Sequence, residues 1–305
     1  AKSTGKDLDE NQVDGLKQAI IDTKDALNGE ERLAKSKAKA QEYVQTLSNL
    51  NNAQRKVAEN SITNSEDLNS LAESISKVTE LNKAMEDLHN ALISNATPVH
   101  ASVNYINADE DLQNQFDQAL QQARNTLSKA TGKPASIEEV QGLIQSIKDT
   151  KEALNGDQRL AKAKFKAEIF INQLKDLNNA QRVDSIKQAN DTDNLKDLSQ
   201  IVSTASDLNN SMSELKAKLK ETVNPVKSSI NYINADYDLK RQFNKAIKDA
   251  REALSKTKGA NLNERDIQGL SQAIDSTKDA LNGEQRLAEA KEKSKQFIKQ
   301  LDTLN

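Results

Sequence analysis

Apolar residues recur three and four positions apart over long stretches of this chain, the spacing that gathers them on one face of a helix. Leu112, Phe116, Ala119, Leu120, Ala123 and Leu127 form one such stripe and predict a helix from about 110 to 130, ended by the loop Thr131-Gly132-Lys133-Pro134. Ser136 then reads as an N-cap with Glu139 three residues on, a capping box. Ile137, Val140, Leu143, Ile144, Ile147 and Leu154 carry the next helix, with Asn155-Gly156 as its expected stop. Leu160, Ala163, Ala167, Phe170, Leu174 and Leu177 predict another, and a short helix is expected from about 179 to 190.

The following stripe is longer than one small bundle needs. Leu195, Leu198, Val202, Ala205, Leu208, Met212, Leu215 and Leu219 run on through Val223, Val226, Ile230 and Ile233, with Pro225 inside the run. Leu68, Leu71, Ile75, Val78, Leu81, Met85, Leu88 and Leu92 likewise continue past Pro98 to Val99, Val103 and Ile106. Proline removes a helical hydrogen bond and crowds the preceding turn. The pattern therefore predicts one long helix, bent or briefly broken at the proline, whose first half completes one three-helix bundle and whose second half opens the next. From 194 to 234 such a helix would span roughly 60 Å at 1.5 Å per residue.

These stripes belong to a repeat. Ala26-Leu27-Asn28-Gly29 returns as Ala153-Leu154-Asn155-Gly156 and again as Ala280-Leu281-Asn282-Gly283, 127 residues apart each time. Leu50-Asn51-Asn52-Ala53-Gln54-Arg55 recurs as Leu177-Asn178-Asn179-Ala180-Gln181-Arg182, and Asn104-Tyr105-Ile106-Asn107-Ala108-Asp109 as Asn231-Tyr232-Ile233-Asn234-Ala235-Asp236. Both ends fall inside a period, as expected for a piece of a longer array. The expected fold is all-α: tandem alternating three-helix bundles joined by shared long helices into an elongated rod, each bundle touching mainly its neighbours.

Composition narrows the function. Nine glycines, three prolines, 3% aromatics and 29% charged residues favour long solvated helices over sheets. At 35% hydrophobic residues the chain fills narrow bundle cores, too small to enclose a substrate pocket. The 43 Lys and Arg are interleaved with 46 Asp and Glu, so no concentrated basic face is available for nucleic acid. No apolar run is long enough to span a bilayer. The absence of cysteine removes disulfides and thiolate metal sites. A monomer is expected.

The repeat tests each candidate site. His89 and His100 become Lys216 and Lys227 one period later, so both are expected to be solvated, without catalytic or metal roles. Asn107, Asp109 and Asp111, with Asn234, Asp236 and Asp238, imitate the opening of a calcium loop. Leu112 or Leu239 stands where that loop needs glycine, and Gln118 or Lys245 where it needs a bidentate Glu. Acidic residues favoured by a helix dipole are the expectation there. Tyr43, Phe170 and Phe297 share one register position, Phe116 and Phe243 another, Tyr105 and Tyr232 a third, and Met85 and Met212 a fourth; all are expected in cores. Phe165 and Tyr237 break register, standing for Ala38 and Glu292, and for Glu110, and are expected on the surface. Gly15, Gly142 and Gly269 occupy one mid-helix position, which predicts close approach of a neighbouring helix. No nucleophile, base and orienting group recur together, so no enzyme, catalytic residue, cofactor or metal is expected, and the ligand-binding residues are not assigned.

The recurring Leu-Asn-Asn-Ala-Gln-Arg, Asn-Tyr-Ile-Asn-Ala-Asp and Ala-Leu-Asn-Gly signatures resemble the giant staphylococcal extracellular matrix-binding proteins, in which GA-like and FIVAR three-helix modules alternate. On that resemblance 30–95 and 157–222 are GA-like, 96–156 and 223–283 FIVAR-like, 1–29 the last helix of a partial FIVAR-like unit and 284–305 the first helix of a partial GA-like unit. It implies a cell-wall-associated, extracellular bacterial surface adhesin whose partner is a host matrix protein such as fibronectin, bound weakly and multivalently. One alternative is a serum-albumin-binding GA-type module, although the short second helix after Asn52 has no aromatic and few apolar residues to present. The others are a non-adhesive helical spacer or tether, or an intracellular coiled-coil scaffold.

Overall fold

The computed structural model describes residues 7–302. The chain divides into two compact units, Ala1–Leu154 and Asn155–Asn305. The first holds α1 (Glu10–Asp25), α2 (Gly29–Thr46), α3 (Asn52–Asn64), α4 (Leu68–His100), α5 (Val103–Ile106), α6 (Glu110–Leu127) and α7 (Ile137–Glu152). The second holds α8 (Gly156–Gln173), α9 (Asn179–Asp191), α10 (Leu195–Ser228), α11 (Ile230–Ile233), α12 (Tyr237–Ala253), α13 (Glu264–Asp279) and α14 (Gly283–Asp302). No strand occurs among the described residues.

The helices start where the sequence offers caps. Ser136 and Glu139 form the expected box at α7, and Asn51 with Gln54, Asp67 with Ser70, Asn178 with Gln181 and Asn263 with Asp266 form others. Each box satisfies two backbone donors that a helix start leaves unpaired.

In unit 1, α2, α3 and the first half of α4 enclose Val44, Leu50, Ile62, Leu71 and Val78. The second half of α4 packs with α6 and α7 around Met85, Leu88, Phe116, Leu120, Val140 and Ile147. Leu81 packs against both cores, so the shared helix is continuous from one bundle to the next. Unit 2 repeats the plan, α10 packing on α8 and α9 and then on α12 and α13.

The prolines do not break these helices. α4 runs through Pro98 to His100, and α10 through Pro225 to Ser228. The break comes at the serines four residues after each proline. Ser102 Oγ donates to Val99 O at 2.6 Å and accepts from Tyr105 N, and Ser229 Oγ does the same with Val226 O at 2.7 Å and Tyr232 N. One hydrogen bond lost at a proline near the helix end is tolerated; a hydroxyl that caps the next turn redirects the chain.

Three further expectations are corrected. α7 ends at Glu152, just ahead of the expected Asn155-Gly156 stop, but the glycine belongs to the next element: no described residue has positive φ, and Gly29, Gly156 and Gly283 each begin the following helix. A Cβ on Gly15, Gly142 or Gly269 would meet nothing within 4 Å, so no neighbouring helix approaches there. Phe116, Phe243, Met85 and Met212 are fully buried, but Tyr43 and Phe170 are 38% and 39% exposed and Phe297 lies open on α14. Their shared position sits at the rim of the bundle, where the Tyr43 hydroxyl bonds Thr79 Oγ1 at 3.0 Å.

Candidate interaction surface and the joints between bundles

The first signature closes a joint between the two bundles of each unit. Asn51 is fully buried, and its Oδ1 caps α3 by accepting from Gln54 N at 2.8 Å. Its Nδ2 reaches the α6–α7 loop, donating to Thr126 O at 3.0 Å and Lys133 O at 2.9 Å. Gln54 Nε2 donates to Ala135 O at 3.1 Å, and Asn52 N to Lys129 O at 2.9 Å. In return Lys129 Nζ donates to Leu50 O at 3.0 Å and to Ser48 O. Arg55 closes the end of α2, donating to Val44 O and Leu47 O.

Unit 2 builds the same clasp. Asn178 Nδ2 donates to Ala253 O at 3.2 Å and Ala260 O at 2.9 Å, Gln181 Nε2 to Leu262 O at 2.9 Å, and Lys256 Nζ to Leu177 O and Lys175 O. Burial, then the nearby Arg55, holds the Lys129 ammonium below the usual lysine range; Lys256 is also lowered, chiefly by burial. The loop glycines make room for the clasp. A Cβ on Gly132 would lie 2.5 Å from Ser128 O and 2.6 Å from Asn51 Nδ2, and one on Gly259 2.5 Å from both Ala253 O and Asn178 Nδ2.

The other two signatures meet each other in unit 2. Asn282 Oδ1 accepts from Asp236 N at 3.0 Å while its Nδ2 donates to Asp236 Oδ2 at 2.7 Å, and Arg286 pairs with the same carboxylate. Glu284 N donates to Asn231 Oδ1 at 3.2 Å, and a Cβ on Gly283 would collide with Asn231 O. The glycine is there for close approach of α14 to α11 and not for a left-handed turn. In unit 1, Asn104 Nδ2 donates to Leu154 O at 3.2 Å.

The expected calcium-like positions are used inside these turns. Asn107 is buried and donates to Val103 O; Asn234 donates to Ile230 O. Asp109 and Asp236 stand at the starts of α6 and α12, with Asp111 and Asp238 exposed in their first turns.

His89 is exposed, but His100 is not the solvated side chain that its exchange for Lys227 suggested. Its Nδ1 lies 2.5 Å from Ala96 O and its Nε2 2.6 Å from Asp117 Oδ1, and the ring packs edge-on against Tyr105 and Phe116. The Tyr105 hydroxyl donates to Asp117 Oδ2 at 2.8 Å. Burial and then this carboxylate push the Tyr105 phenol up to about 12. The companion exchange of Asp117 for Asn244 is the sequence signal that pairs with His100 and Lys227.

What the joints leave exposed are outer helix faces. Phe165 is 64% exposed and Tyr237 80%, with Ile169 and Val183 also open to solvent. One open groove runs between α6 and α7 past Asn125, Lys133, Pro134 and Leu143.

Small three-helix bundles that share a long helix, close on one another through a polar clasp and recur every 127 residues define a tandem helical-module repeat protein. The FIVAR domain model matches residues 84–155 and 211–282, and the GA module model residues 30–84, 157–211 and 284–305. Over 299 residues the chain is 40% identical to the extracellular matrix-binding protein ebh of Staphylococcus aureus, spanning 98% of this chain and 3% of that protein. It is equally similar to EbhA of S. aureus strain Newman, of which it spans 8%. The crystal structure of the EbhA 756–1003 domain from S. aureus superposes with a TM-score of 0.64 at 26% identity, covering 70% of this chain and 85% of that one. The chain belongs to the Ebh-type family of extracellular matrix-binding repeat proteins, built from tandem FIVAR and GA modules. The modules that match are those of a non-enzymatic family, and the chain spans only a small part of the length of its relatives. No described helix is long and apolar enough to cross a membrane.

Proposed function

We propose that this segment spaces the adhesin from the bacterial surface and adds weak, repeated contacts with a host matrix protein, fibronectin being the ligand that the family resemblance implies. One observation supports the reading most: the recurrent signature residues are committed to joints, and what each unit offers a partner is the outer face of its helices. Weak contacts on such faces become useful through multivalency, which raises avidity by roughly 10²–10⁴ without new contacts when the geometry allows simultaneous engagement. Val57 is the one large apolar side chain that α3 exposes, which leaves a GA-type albumin site little apolar surface on its second helix.

The test is binding of the chain, and of arrays with more repeats, to surfaces coated with fibronectin, collagen or albumin. Apparent affinity for fibronectin should climb steeply with repeat number, while the single chain in solution binds weakly. Binding by every array abolished by one substitution in one module would point to a dedicated site and sink the proposal.

A further inference from the structure

Unit 1 has two hydrophobic cores that meet at Leu81, and small bundles with their own cores ordinarily open independently. A shared helix alone would not prevent this, since either half of α4 can stay helical while the partners of the other half leave. The clasp changes that. It links positions 75 to 82 residues apart in sequence, with the Asn51 and Gln54 side chains buried and the loop carbonyls that they reach partly so. Withdrawing α3 would take the Asn51 and Gln54 amides away from Thr126 O, Lys133 O and Ala135 O, and withdrawing the FIVAR loop would take those carbonyls away from the amides. These bonds and the burial around them exist only while both bundles are folded, so opening either bundle destabilises the other.

We propose that the Asn51–Gln54–Lys129 clasp, and its equivalent Asn178–Gln181–Lys256, couples the GA-like and FIVAR-like bundles of a unit so that they unfold under load as one element. The coupling is independent of any ligand. Its consequence for a surface protein is that tension releases chain in whole units, without a half-open unit whose GA-like bundle has melted first.

The test uses the 305-residue chain pulled from its ends in an optical trap, with unit 2 as control inside the same molecule. Asn51→Asp keeps an oxygen to cap α3 but turns the clasp donor into an acceptor facing two carbonyls. Lys129→Met keeps the apolar stem and removes the ammonium. In the unaltered chain, the partial units at the ends aside, two release events of equal length are expected. In the Asn51→Asp/Lys129→Met chain one of them should split into two shorter events at lower force, while the other is unchanged. If that double variant leaves unit 1 unfolded, Lys129→Met alone serves, and the same splitting is expected. Two-step release of each unit in the unaltered chain, or an unsplit event in the folded variants, would overturn the proposal by showing that the bundles are uncoupled or that the shared helix suffices.

Discussion

The FIVAR-like bundle of unit 1 and its counterpart in unit 2 share a core and a clasp but differ along one edge. In unit 1, Asp117 accepts from the Tyr105 hydroxyl and pairs with His100. In unit 2, Tyr232 and Asn244 bond each other as neutral groups and Lys227 stands in solvent. One row down, Gln113 donates to Tyr105 O, whereas Lys240 donates to Ile233 O and lies 5.9 Å from the Tyr232 ring centre. The difference shows at what level the repeat is constrained. The largest core side chains, Phe116 and Met85, and the clasp side chains Asn51, Gln54 and Lys129 are the same in both copies, other core positions exchange one small or aliphatic residue for another, as Leu120 for Ile247, and the edge positions change in matched sets. A lone exchange of Asp117 for Asn would leave His100 without its carboxylate; exchanging His100 for Lys as well removes the need for it.

Where the bundles agree, the largest effects should be equal. Phe116 and Phe243 are fully buried in equivalent places. Phe116→Ala and Phe243→Ala should each cost about 3–5 kcal/mol of the stability of its own unit, the range for removing a buried ring whose cavity only partly collapses. Amide exchange resolved by unit measures both costs in one molecule. Costs that differ by more than ~1.5 kcal/mol, the scale of an ordinary packing difference, would break the claim that the two cores are equivalent.

Where the edges differ, a smaller effect should appear in unit 1. Asp117→Ala removes the acceptor of Tyr105 and the partner of His100, and since water reaches this edge the loss should be about 1 kcal/mol. The Tyr105 phenol is raised from an ordinary value near 10 to about 12 in the folded chain. Stability linked to its neutral form is therefore fully present below pH ~10 and lost as the pH climbs to about 12. Lys129 and Lys256 act in the opposite sense, because a lowered ammonium regains stability as the pH rises through its folded value; both units carry one, so the contribution is common. Unit 1 should lose stability relative to unit 2 between pH 10 and 12, and Tyr105→Phe should remove that difference. Tyrosinate absorbance of the Tyr105→Phe chain, subtracted from that of the parent, isolates the late-titrating phenol; a difference curve with an ordinary midpoint would refute the assignment.

The contrast between shared and exchanged positions also explains what the sequence revealed. Helices, shared stripes and the Phe116 and Met85 cores were legible because apolar spacing of three and four records burial directly, and the copies check one another. The clasp was not. Asn51 and Gln54 look like an ordinary capping box, and their second partners are backbone carbonyls some 80 residues on, which carry no side-chain signature. His100 was misread because it was compared with Lys227 alone and not together with Asp117 and Asn244. Tyr43 and Phe170 show that keeping register is not the same as being buried, since a rim position recurs as faithfully as a core one.

The smallest expected effect is at Gly142, and it is opposite in sign to that of Gly132 ten residues before it. Gly132 recurs as Gly259 because a Cβ there would press on the clasp, so Gly132→Ala should destabilise unit 1 by about 1–3 kcal/mol, the usual cost of overpacking. Gly142 recurs as Gly269 with equal fidelity, yet the space around it is empty and its helix, α7, gains nothing from the missing methyl group. Alanine loses less backbone entropy on folding than glycine, so Gly142→Ala and Gly269→Ala should each stabilise their unit by up to about 1 kcal/mol. The signs are thus opposite for two residues that recurrence treats alike. Thermal unfolding of the three single variants reads both signs. A loss of stability in Gly142→Ala would mean that something outside the bundle rests on that face of α7, in the groove between α6 and α7, and that face would then join the outer surfaces of α8 and α12 among the places where a partner is to be sought.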